Sequence, residues 1–397
     1  MKLSAESLIA ACADDAFDSG IAIQTTLEPL GGSGAPVKPA VYAGGNYQIE
    51  QRWTGEGDAR RSVVAISIDN VPSQANRIEA ALERLAPAVG LPRLELDLSL
   101  YPHLPPHIPS RLSGFRFPHR NADAYLRDSE LDGVPLHKTE LGTELFASTP
   151  WNPIPLVRTM PHALLFGFWQ SHLGKNGPQT KLARSWTSEI IGYEPGSTET
   201  KRLGLKGDPL NLSIDDAITF EDGDRRDWEM ISGQKKAAGS KKKESLAEIG
   251  HGQVPVSSNE APLGAVSFNF IEQRATLSFA GLRNVGGIGD PTNAPLRALL
   301  ASIGILGHVA AFGRGFTLRS GADLVPREVA YKWLGESSNE SLDAPTMSEA
   351  KQVFADCVAE AASAGLPVSG WASQPTVLTP NAQLLKVLGQ TFPEYSL

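Results

Sequence analysis

The chain has 397 residues, 41% of them hydrophobic, and a formal net charge of -8. A chain of this length and apolar content can bury a sizeable core, which excludes an intrinsically disordered protein. The acidic balance argues against a uniformly basic nucleic-acid-binding protein, although net charge does not show where the charges lie. Local basic patches therefore decide whether binding to nucleic acid is expected.

Predicted strands and helices alternate in the first hundred residues. Ser4 is predicted to cap a helix that extends to about Asp15. The strand, helix and strand between 62 and 98 indicate a βαβ unit, which suits an RRM-like or ferredoxin-like sheet but also fits many other α/β folds. The predicted strands are 20–27, 37–42, 44–53, 62–68 and 93–98, and the predicted amphipathic helix is 72–85.

Residues 101–120 (YPHLPPHIPSRLSGFRFPHR) are rich in proline and in basic side chains. The five prolines are incompatible with regular structure, and the segment holds three arginines and three histidines but no acid. Two interpretations stay open. The segment is a surface connection whose phenylalanines pack into the core, or it is a loop that contacts phosphate through Arg116, His119 and Arg120.

The stretch 158–193 joins an apolar run to a glycine-rich basic loop. Residues 164–169 (LLFGFW) are too bulky and continuous to face solvent, so they indicate a core strand or the buried end of a helix. The loop that follows combines flexible backbone with cations, and Trp169 and Trp186 flank it as candidate stacking faces. This composition suits close approach to a phosphate chain. The candidate contacts in this loop are His172, Lys175, Lys181 and Arg184.

The second half of the chain begins with a polar segment, 194–252, that carries a cluster of lysines near its centre and is predicted to be a solvated insertion. Further along, the sequence GLRNVGGIGDP from Gly281 offers backbone amides and Arg283 to a phosphate, although ordinary turns also explain its glycines. The remaining predicted elements are a helix capped by Asn121 and ending near Glu130, strands at 264–271 and 275–280, and helices at 295–311 and 348–364.

The cysteines and the hydropathy of the chain predict its cellular compartment. Cys12 and Cys357 lie far apart in helix-like apolar contexts, so we expect free thiols in a reducing cytoplasm. The first fifteen residues lack the long apolar core of a secretory signal, and the apolar stretch 296–312 is interrupted by two glycines and a histidine. We expect a cytoplasmic protein that does not span a membrane.

Enzyme signatures are near misses. The stretch 167–175 resembles a phosphate-binding loop, but its glycines are separated by six residues and Asn176 stands where Ser or Thr should hold magnesium. No HExxH, CxxC or Gly-x-Ser-x-Gly motif is found, so we expect no catalysis, no metal and no cofactor. The conceivable acid-base pairs join a histidine to a carboxylate: His119, His162 or His172 with Asp123 or Glu189.

Four sequence blocks carry a family resemblance: HRNADAYLRDSELDG from His119, MPHALLFGFWQSHLGK from Met160, ARSWTSEIIGY from Ala183 and LSFAGLRNVG from Leu277. In this order they resemble the Cas-seven-type backbone subunit of type I-G (formerly I-U) CRISPR Cascade complexes, of the RAMP superfamily. The resemblance implies an α/β (α+β) chain with an RRM-like or ferredoxin-like palm and large insertions. The implied parts are a palm at 1–100 and 262–345, fingers at 101–193, a thumb at 194–261 and a C-terminal helical segment at 346–397.

The function that this resemblance implies is that of a non-catalytic subunit. It would oligomerise head-to-tail along CRISPR guide RNA (crRNA) and present the guide for recognition of target DNA in antiviral defence. The implied partners are crRNA, target DNA, further copies of the chain, the large subunit and a Cas-five-type or Cas-six-type subunit, with no membrane. The expected RNA-binding residues are Arg116, His119, Arg120, Trp169, His172, Lys175, Lys181, Arg184 and Arg283.

Two other functions stay open. One is an RNA-processing endonuclease of the same superfamily that uses His119 or His172. The other is a nucleotide-binding α/β enzyme that uses the loop at 281–289, for which a single bound nucleotide without long RNA would be the distinguishing observation.

Overall fold

The computed structural model describes residues 1–42, 44–55, 57–171, 179–196, 210, 217–221, 228–230, 241–249, 251, 264–336, 339–372 and 374–392. Within these ranges the helices are α1 (Ala5–Ala11), α2 (Val71–Val89), α3 (Ala124–Arg127), α4 (Glu140–Phe146), α5 (Ile154–Thr159), α6 (Pro161–Phe166), α7 (Phe279–Leu282), α8 (Asn293–Phe312), α9 (Met347–Ser363) and α10 (Ala382–Thr391). The strands are β1 (Gly20–Pro29), β2 (Ile49–Thr54), β3 (Arg61–Asp69), β4 (Leu94–Asp97), β5 (Arg111–Ser113), β6 (Ser129–Leu131), β7 (Val134–Pro135), β8 (Phe168–Gln170), β9 (Thr180–Leu182), β10 (Trp186–Pro195), β11 (Ala217–Glu221), β12 (Trp228–Met230), β13 (Lys241–Ser245), β14 (Phe268–Ser278), β15 (Phe316–Thr317), β16 (Asp323–Leu334), β17 (Asn339–Leu342) and β18 (Thr376–Pro380).

The main sheet is antiparallel and has the order β15-β16-β1-β14-β10-β3-β2, with β17 also paired to β16. Its four central strands lie in the order β16-β1-β14-β10, with α2 in the connection from β1 to β10 and α8 in the connection from β14 to β16. This is the β-α-β-β-α-β arrangement of ferredoxin-like folds. The predicted α+β class is confirmed.

Two helices, α2 and α8, pack against each other on one face of this sheet. Gly307 of α8 allows the close contact, because a Cβ atom there would lie 2.6 Å from the side chain of Ile78 on α2. α8 is long and apolar enough to cross a bilayer, but 83% of its most apolar window is buried inside the protein. It is therefore the core helix of the domain.

The strands of the main sheet alternate between a covered face and an open one. On β1, Ile21 and Ile23 are buried towards the helices, whereas Ala22 and Gln24 are more accessible and point the other way. β14 repeats the pattern, with Ala275 buried and Thr276 exposed. Among the described residues, no helix layer covers the second face of the sheet.

The βαβ unit predicted between 62 and 98 is wrong. Its second strand, β4, leaves the main sheet and pairs in parallel with β18, in a separate sheet ordered β5-β4-β18-β6-β7. The parallel partner of β4 lies about 280 residues further along the chain, so short-range periodicity does not reveal it. The split βαβ unit of the main sheet is instead β1, α2 and β10, and β10 lies mostly within the range 101–193 that we predicted to be fingers.

Several element boundaries also differ from prediction. The helix expected from an Asn121 cap starts two residues later, because the Asp123 carboxylate accepts from the backbone N–H of Tyr125 and caps α3, which ends at Arg127. Residues 37–42 form isolated bridges instead of a strand, one at Val37 and one between Val41 and Tyr47. The two strands expected at 264–271 and 275–280 form one continuous strand, β14, followed by α7.

The chain divides into two compact units. The sheet unit comprises Met1–Ala40, Gln48–Gly196 and Ser267–Leu397, and the insertion unit comprises Val41–Tyr47 and Ser197–Val266. In the insertion unit the described strands pair in the order β12-β11-β13, and Ile218 and Leu246 form a small buried core of their own. This unit overlaps the range 194–261 predicted to be a thumb.

Both cysteines are free and buried in the sheet unit. Burial raises the pKa of the Cys12 thiol and of the Cys357 thiol to about 12. They therefore act as small apolar core side chains, not as reactive thiolates.

Candidate nucleic-acid interface

A short hairpin, β8 and β9, presents an aromatic ring beside a cation. On β8, Phe168 and Gln170 are buried, whereas the Trp169 side chain between them is 66% exposed. Trp169 is the register partner of Lys181 on β9, and the Lys181 Nζ atom lies 5.9 Å from the centre of the indole ring. The residues that join the two strands, 172–178, lie outside the described ranges, and with them the predicted contacts His172 and Lys175.

The hairpin is fixed at its base by a close backbone contact. Gly167, between α6 and β8, has a φ of 77°, and a Cβ atom there would lie 2.5 Å from the carbonyl oxygen of Leu182. Only glycine fits this position, because both the backbone angle and the space exclude a side chain. The Arg120 Nη1 group also donates a hydrogen bond of 3.1 Å to the carbonyl of Gly167.

Arg120 lies under the hairpin and is paired within the protein. It is 9% exposed, and its guanidinium forms a bidentate ion pair with the Glu79 carboxylate of α2, at 2.7 and 2.9 Å. Its φ of 53° is uncommon for a residue other than glycine. Burial raises the pKa of Glu79, and the Arg120 charge acts in the opposite direction. Arg120 therefore supports the hairpin instead of offering a free charge to phosphate.

A neutral histidine packs beside this ion pair. His162 of α6 stacks on Phe115 with ring centres 4.4 Å apart, and its Nε2 atom is 3.9 Å from the Glu79 carboxylate. Burial, followed by the nearby Arg120 charge, lowers the pKa of His162 to about 3. His162 is therefore uncharged near neutral pH and packs in the core with Phe115.

The hairpin, the segment before α3 and the start of β10 enclose a groove of about 730 Å³. Exposed cations and an aromatic ring meet there: Lys181, Arg184 and Trp169 line it together with His119 and the edge of Arg120. Among the described residues, neither Lys181 nor Arg184 has an ion-pair partner. Five of the predicted RNA-binding residues therefore line this groove: His119, Arg120, Trp169, Lys181 and Arg184.

The electrostatics of the groove favour an anion. Partial burial, and then the positive charge of Arg120, lower the pKa of the Arg184 guanidinium, while Glu79 acts in the opposite direction. A cation that is disfavoured by its own surroundings is stabilised when an anion binds next to it. Phosphate is an anion that arginine binds well in a fork geometry.

Two predicted RNA contacts lie elsewhere. Arg116 is bound to the Glu83 carboxylate of α2 at 2.8 and 3.0 Å. The guanidinium of Arg283 donates to the carbonyl oxygens of Ala11 and Asp18, at 3.0 and 2.8 Å, and so ties the N-terminal segment to α7. Neither residue lines the groove.

The carboxylates considered as acid-base partners have structural roles. Asp123 accepts hydrogen bonds from the backbone N–H groups of His119 and Tyr125, both at 3.0 Å. Glu189 is held by Arg52 in a bidentate pair at 2.6 and 3.0 Å. Within the described ranges, no group of three or more His, Cys, Asp or Glu side chains is placed to hold a metal ion.

Glu79 is not among the residues predicted for the site, although the sequence carries a signal for it. Glu79 lies one residue after Ile78 and three before Leu82, on the apolar side of a strongly amphipathic helix. An acid at a buried helical position requires a cationic partner, because an unpaired buried charge is costly. That rule points to a buried arginine somewhere in the chain, though not to which one.

The groove lies in a part of the chain that matches a known protein family. Residues 21–195 match the family model of the CRISPR-associated protein GSU0053, and this range extends from the second residue of β1 to the end of β10 and includes every residue that lines the groove. The expected relationship to CRISPR-associated proteins is thereby confirmed. No curated protein gives a significant match to the chain.

Proposed function

We propose that this CRISPR-associated chain is a non-catalytic backbone subunit that binds guide RNA in the groove between the β8–β9 hairpin and β10. The observation that supports it is the meeting of Trp169, Lys181 and Arg184 in one groove of about 730 Å³. Cations beside an exposed indole suit single-stranded nucleic acid, since phosphates pair with the cations and bases stack on the ring. The protein would hold the backbone of the guide, and base pairing would supply sequence specificity.

The CRISPR association supports a cellular setting for this role. In the proposed role, copies of the chain associate head-to-tail along one crRNA in the cytoplasm and present the guide to target DNA. The large subunit and a Cas-five-type or Cas-six-type subunit of a type I-G Cascade complex complete the assembly. A head-to-tail interface does not close on itself, so the length of the RNA sets the length of the assembly.

Expression of the chain with and without a CRISPR array tests this proposal. With an array, we expect a particle that contains repeat-derived RNA and whose mass, measured by size-exclusion chromatography with multi-angle light scattering, rises with RNA length. A closed dimer whose mass ignores RNA length would refute the backbone role. A single bound nucleotide without long RNA would favour a nucleotide-binding enzyme.

The competing endonuclease role has one structural feature in its favour, the exposed position of His119 in the groove. Incubation of the purified chain with guide RNA, target RNA and target DNA should leave all three intact under the backbone proposal. Cleavage that His119→Ala abolishes, with RNA binding unchanged, would establish the nuclease instead.

A further inference from the structure

The open face of the main sheet carries its own cavity. This space of about 900 Å³ lies over β1, β14 and β16. One side of it is lined by the end of β2, at Trp53 and Thr54, and by Gly55, Gly57 and Arg60 in the connection to β3. Its floor includes Ala22 and Thr276, which point away from the helix layer. It is lined by different residues from the groove beside the β8–β9 hairpin.

The register of the sheet connects the two spaces. Thr187 of β10, which lines the groove, is paired directly with Thr276 of β14, which lines the open face. Thr276 is paired in turn with Ala22 of β1, and Ala22 with Lys332 of β16. These four residues form a row across four strands, and adjacent strands lie about 4.8 Å apart, so the row is about 14 Å long. It leads from the groove to Lys332.

The chemistry of this row fits an extended polyanion. Its floor consists of a methyl group and two hydroxyl-bearing side chains, which allow a chain to approach the sheet closely. Lys332 at its far end is exposed and has no ion-pair partner among the described residues. Among the described residues, the acid that lines the cavity is Glu272, which is 5% exposed and already accepts hydrogen bonds from Gln24 and Arg274.

An aromatic stacking face borders the same space. The Trp53 side chain is 59% exposed, and the guanidinium carbon of Arg60 lies 5.1 Å from the centre of its ring. Arg60 is itself exposed and forms no ion pair with any described residue. A cation beside an accessible indole repeats the combination of Lys181 and Trp169 in the groove.

We propose that the RNA-binding groove continues over the open face of the sheet, along Thr187, Thr276, Ala22 and Lys332. Single-stranded RNA that leaves the groove follows this row, with a phosphate beside Lys332 and a base stacked on Trp53. This inference rests on the proposed function of the groove. The competing occupant of the open face, a segment of a neighbouring copy of the chain, is distinguished by the experiments below.

A length series measures the extent of the binding path. Oligouridylates of about 4 to about 16 nucleotides cover the usual site sizes of single-strand binding proteins. For the unaltered chain, affinity should rise with length until both the groove and the open face are filled. In the variants Lys332→Ala and Trp53→Ala, affinity should stop rising at a shorter oligonucleotide length. Affinity for the longest oligomer should fall about tenfold in Trp53→Ala, whereas binding of the shortest should not change.

Matched variants separate failure of this inference from failure of the proposed function. Lys351→Ala, on α9 in the helix layer, is the control and should leave the series unchanged. If Lys181→Ala/Arg184→Ala weakens binding of the shortest oligomer while Lys332→Ala and Trp53→Ala leave the series unchanged, the path across the sheet is refuted and the groove stands. If Lys181→Ala/Arg184→Ala has no effect, the groove assignment fails and this inference fails with it.

Photocrosslinking identifies the occupant directly. Thr276→p-benzoylphenylalanine places the reactive group on the open face at an exposed position, and Lys351→p-benzoylphenylalanine places it on the helix layer. In RNA-loaded assemblies, we expect an RNA crosslink from position 276 and none from position 351. A crosslink from 276 to another copy of the chain, or none at all, would overturn the proposal.

Discussion

Glu79 of α2 and Arg120 form a bidentate ion pair, and their side chains are only 3% and 11% exposed. A second pair joins Glu83, four residues further along α2, to Arg116, four residues earlier in the loop. The side chains of Glu83 and Arg116 are 21% and 60% exposed. Both pairs bind the same loop to the same helix, Arg120 through its Nε and Nη2 groups and Arg116 through its Nε group. They differ in burial, which is the property that decides how costly it is to lose one partner.

The first prediction compares these two pairs. Glu79→Gln should lower the free energy of unfolding by about 3 kcal/mol, because it leaves the Arg120 charge buried without a counterion. Glu83→Gln is the matched control and should cost less than about 1 kcal/mol. Guanidinium denaturation of the full chain, followed by near-ultraviolet circular dichroism, measures both. Equal effects would show that the Arg120 site is more hydrated than its 9% exposure indicates.

The same four residues show where sequence reasoning succeeds and where it stops. α2 was predicted at 72–85 and lies at Val71–Val89, because the spacing of its apolar residues is a local property. Arg116 and Arg120 look equivalent in sequence, as basic residues of one proline-rich loop. Which of them is buried depends on acids 33 and 41 residues away, and that pairing is set by tertiary packing. The groove residues were found because cations and tryptophans cluster near glycines within a short stretch.

Trp169 provides the second prediction. Trp169→Ala should weaken binding of single-stranded RNA about tenfold, since a stacked base contributes on the order of 1 to 3 kcal/mol. Trp151→Ala is a fair control, because Trp151 is 69% exposed but does not line the groove. Fluorescence anisotropy with a labelled oligouridylate measures both affinities. If the two variants bind alike, the exposed indole of Trp169 is not a stacking site.

Salt dependence supplies the third prediction. Each phosphate contact that is lost should reduce the slope of log affinity against log salt by roughly 0.7 for a single strand. Lys181→Ala/Arg184→Ala should therefore flatten the slope by about twice that amount, and by the same amount on unrelated sequences. Arg116→Ala should leave the slope unchanged, because its guanidinium is bound to Glu83 and does not line the groove. A flattened slope in Arg116→Ala would restore this residue to the RNA contacts.

The fourth prediction concerns pH and His308. This residue is packed among Trp186, Phe312 and Tyr331, and burial lowers its pKa to about 4 from an ordinary value of 6.5. Between these values the unfolded chain binds a proton that the folded chain does not, so the free energy of unfolding falls as pH decreases. The loss from His308 should be on the order of 2 kcal/mol between about pH 7 and about pH 5.

His308→Phe tests this directly, since it keeps an aromatic ring in the same surroundings and removes the titrating group. The variant should lose stability less steeply than the unaltered chain below about pH 6.5, and the two should run parallel above about pH 7. His162, whose pKa burial lowers to about 3, contributes in the same direction and preserves part of the slope in the variant. Identical slopes below pH 6.5 would mean that folding does not lower the pKa of His308.

The last prediction uses the way the insertion unit joins the sheet. β10 and β14 are adjacent where the insertion leaves and returns: Pro195 is paired with Phe268, and the backbone N–H of Gly196 donates to the carbonyl of Ser267 at 2.9 Å. A two-residue Asn-Gly turn can therefore replace residues 197–266 and close an ordinary hairpin. Tyr47→Ser belongs in the same variant, because the Tyr47 hydroxyl donates to the carbonyl of Gly264, which the deletion removes.

The shortened chain should fold, because Ile218 and Leu246 of the insertion unit form a small core of their own and, among the described residues, the main core of the sheet unit includes none from 197–266. Its thermal midpoint should stay within a few degrees of that of the full chain, and short oligouridylates should bind as before, since the groove belongs to the sheet unit. If the insertion serves as the thumb, the mass of the assembly should no longer increase with RNA length. If the shortened chain assembles normally, the head-to-tail contact belongs to the sheet unit alone. If the shortened chain fails to fold, the two units are not independent.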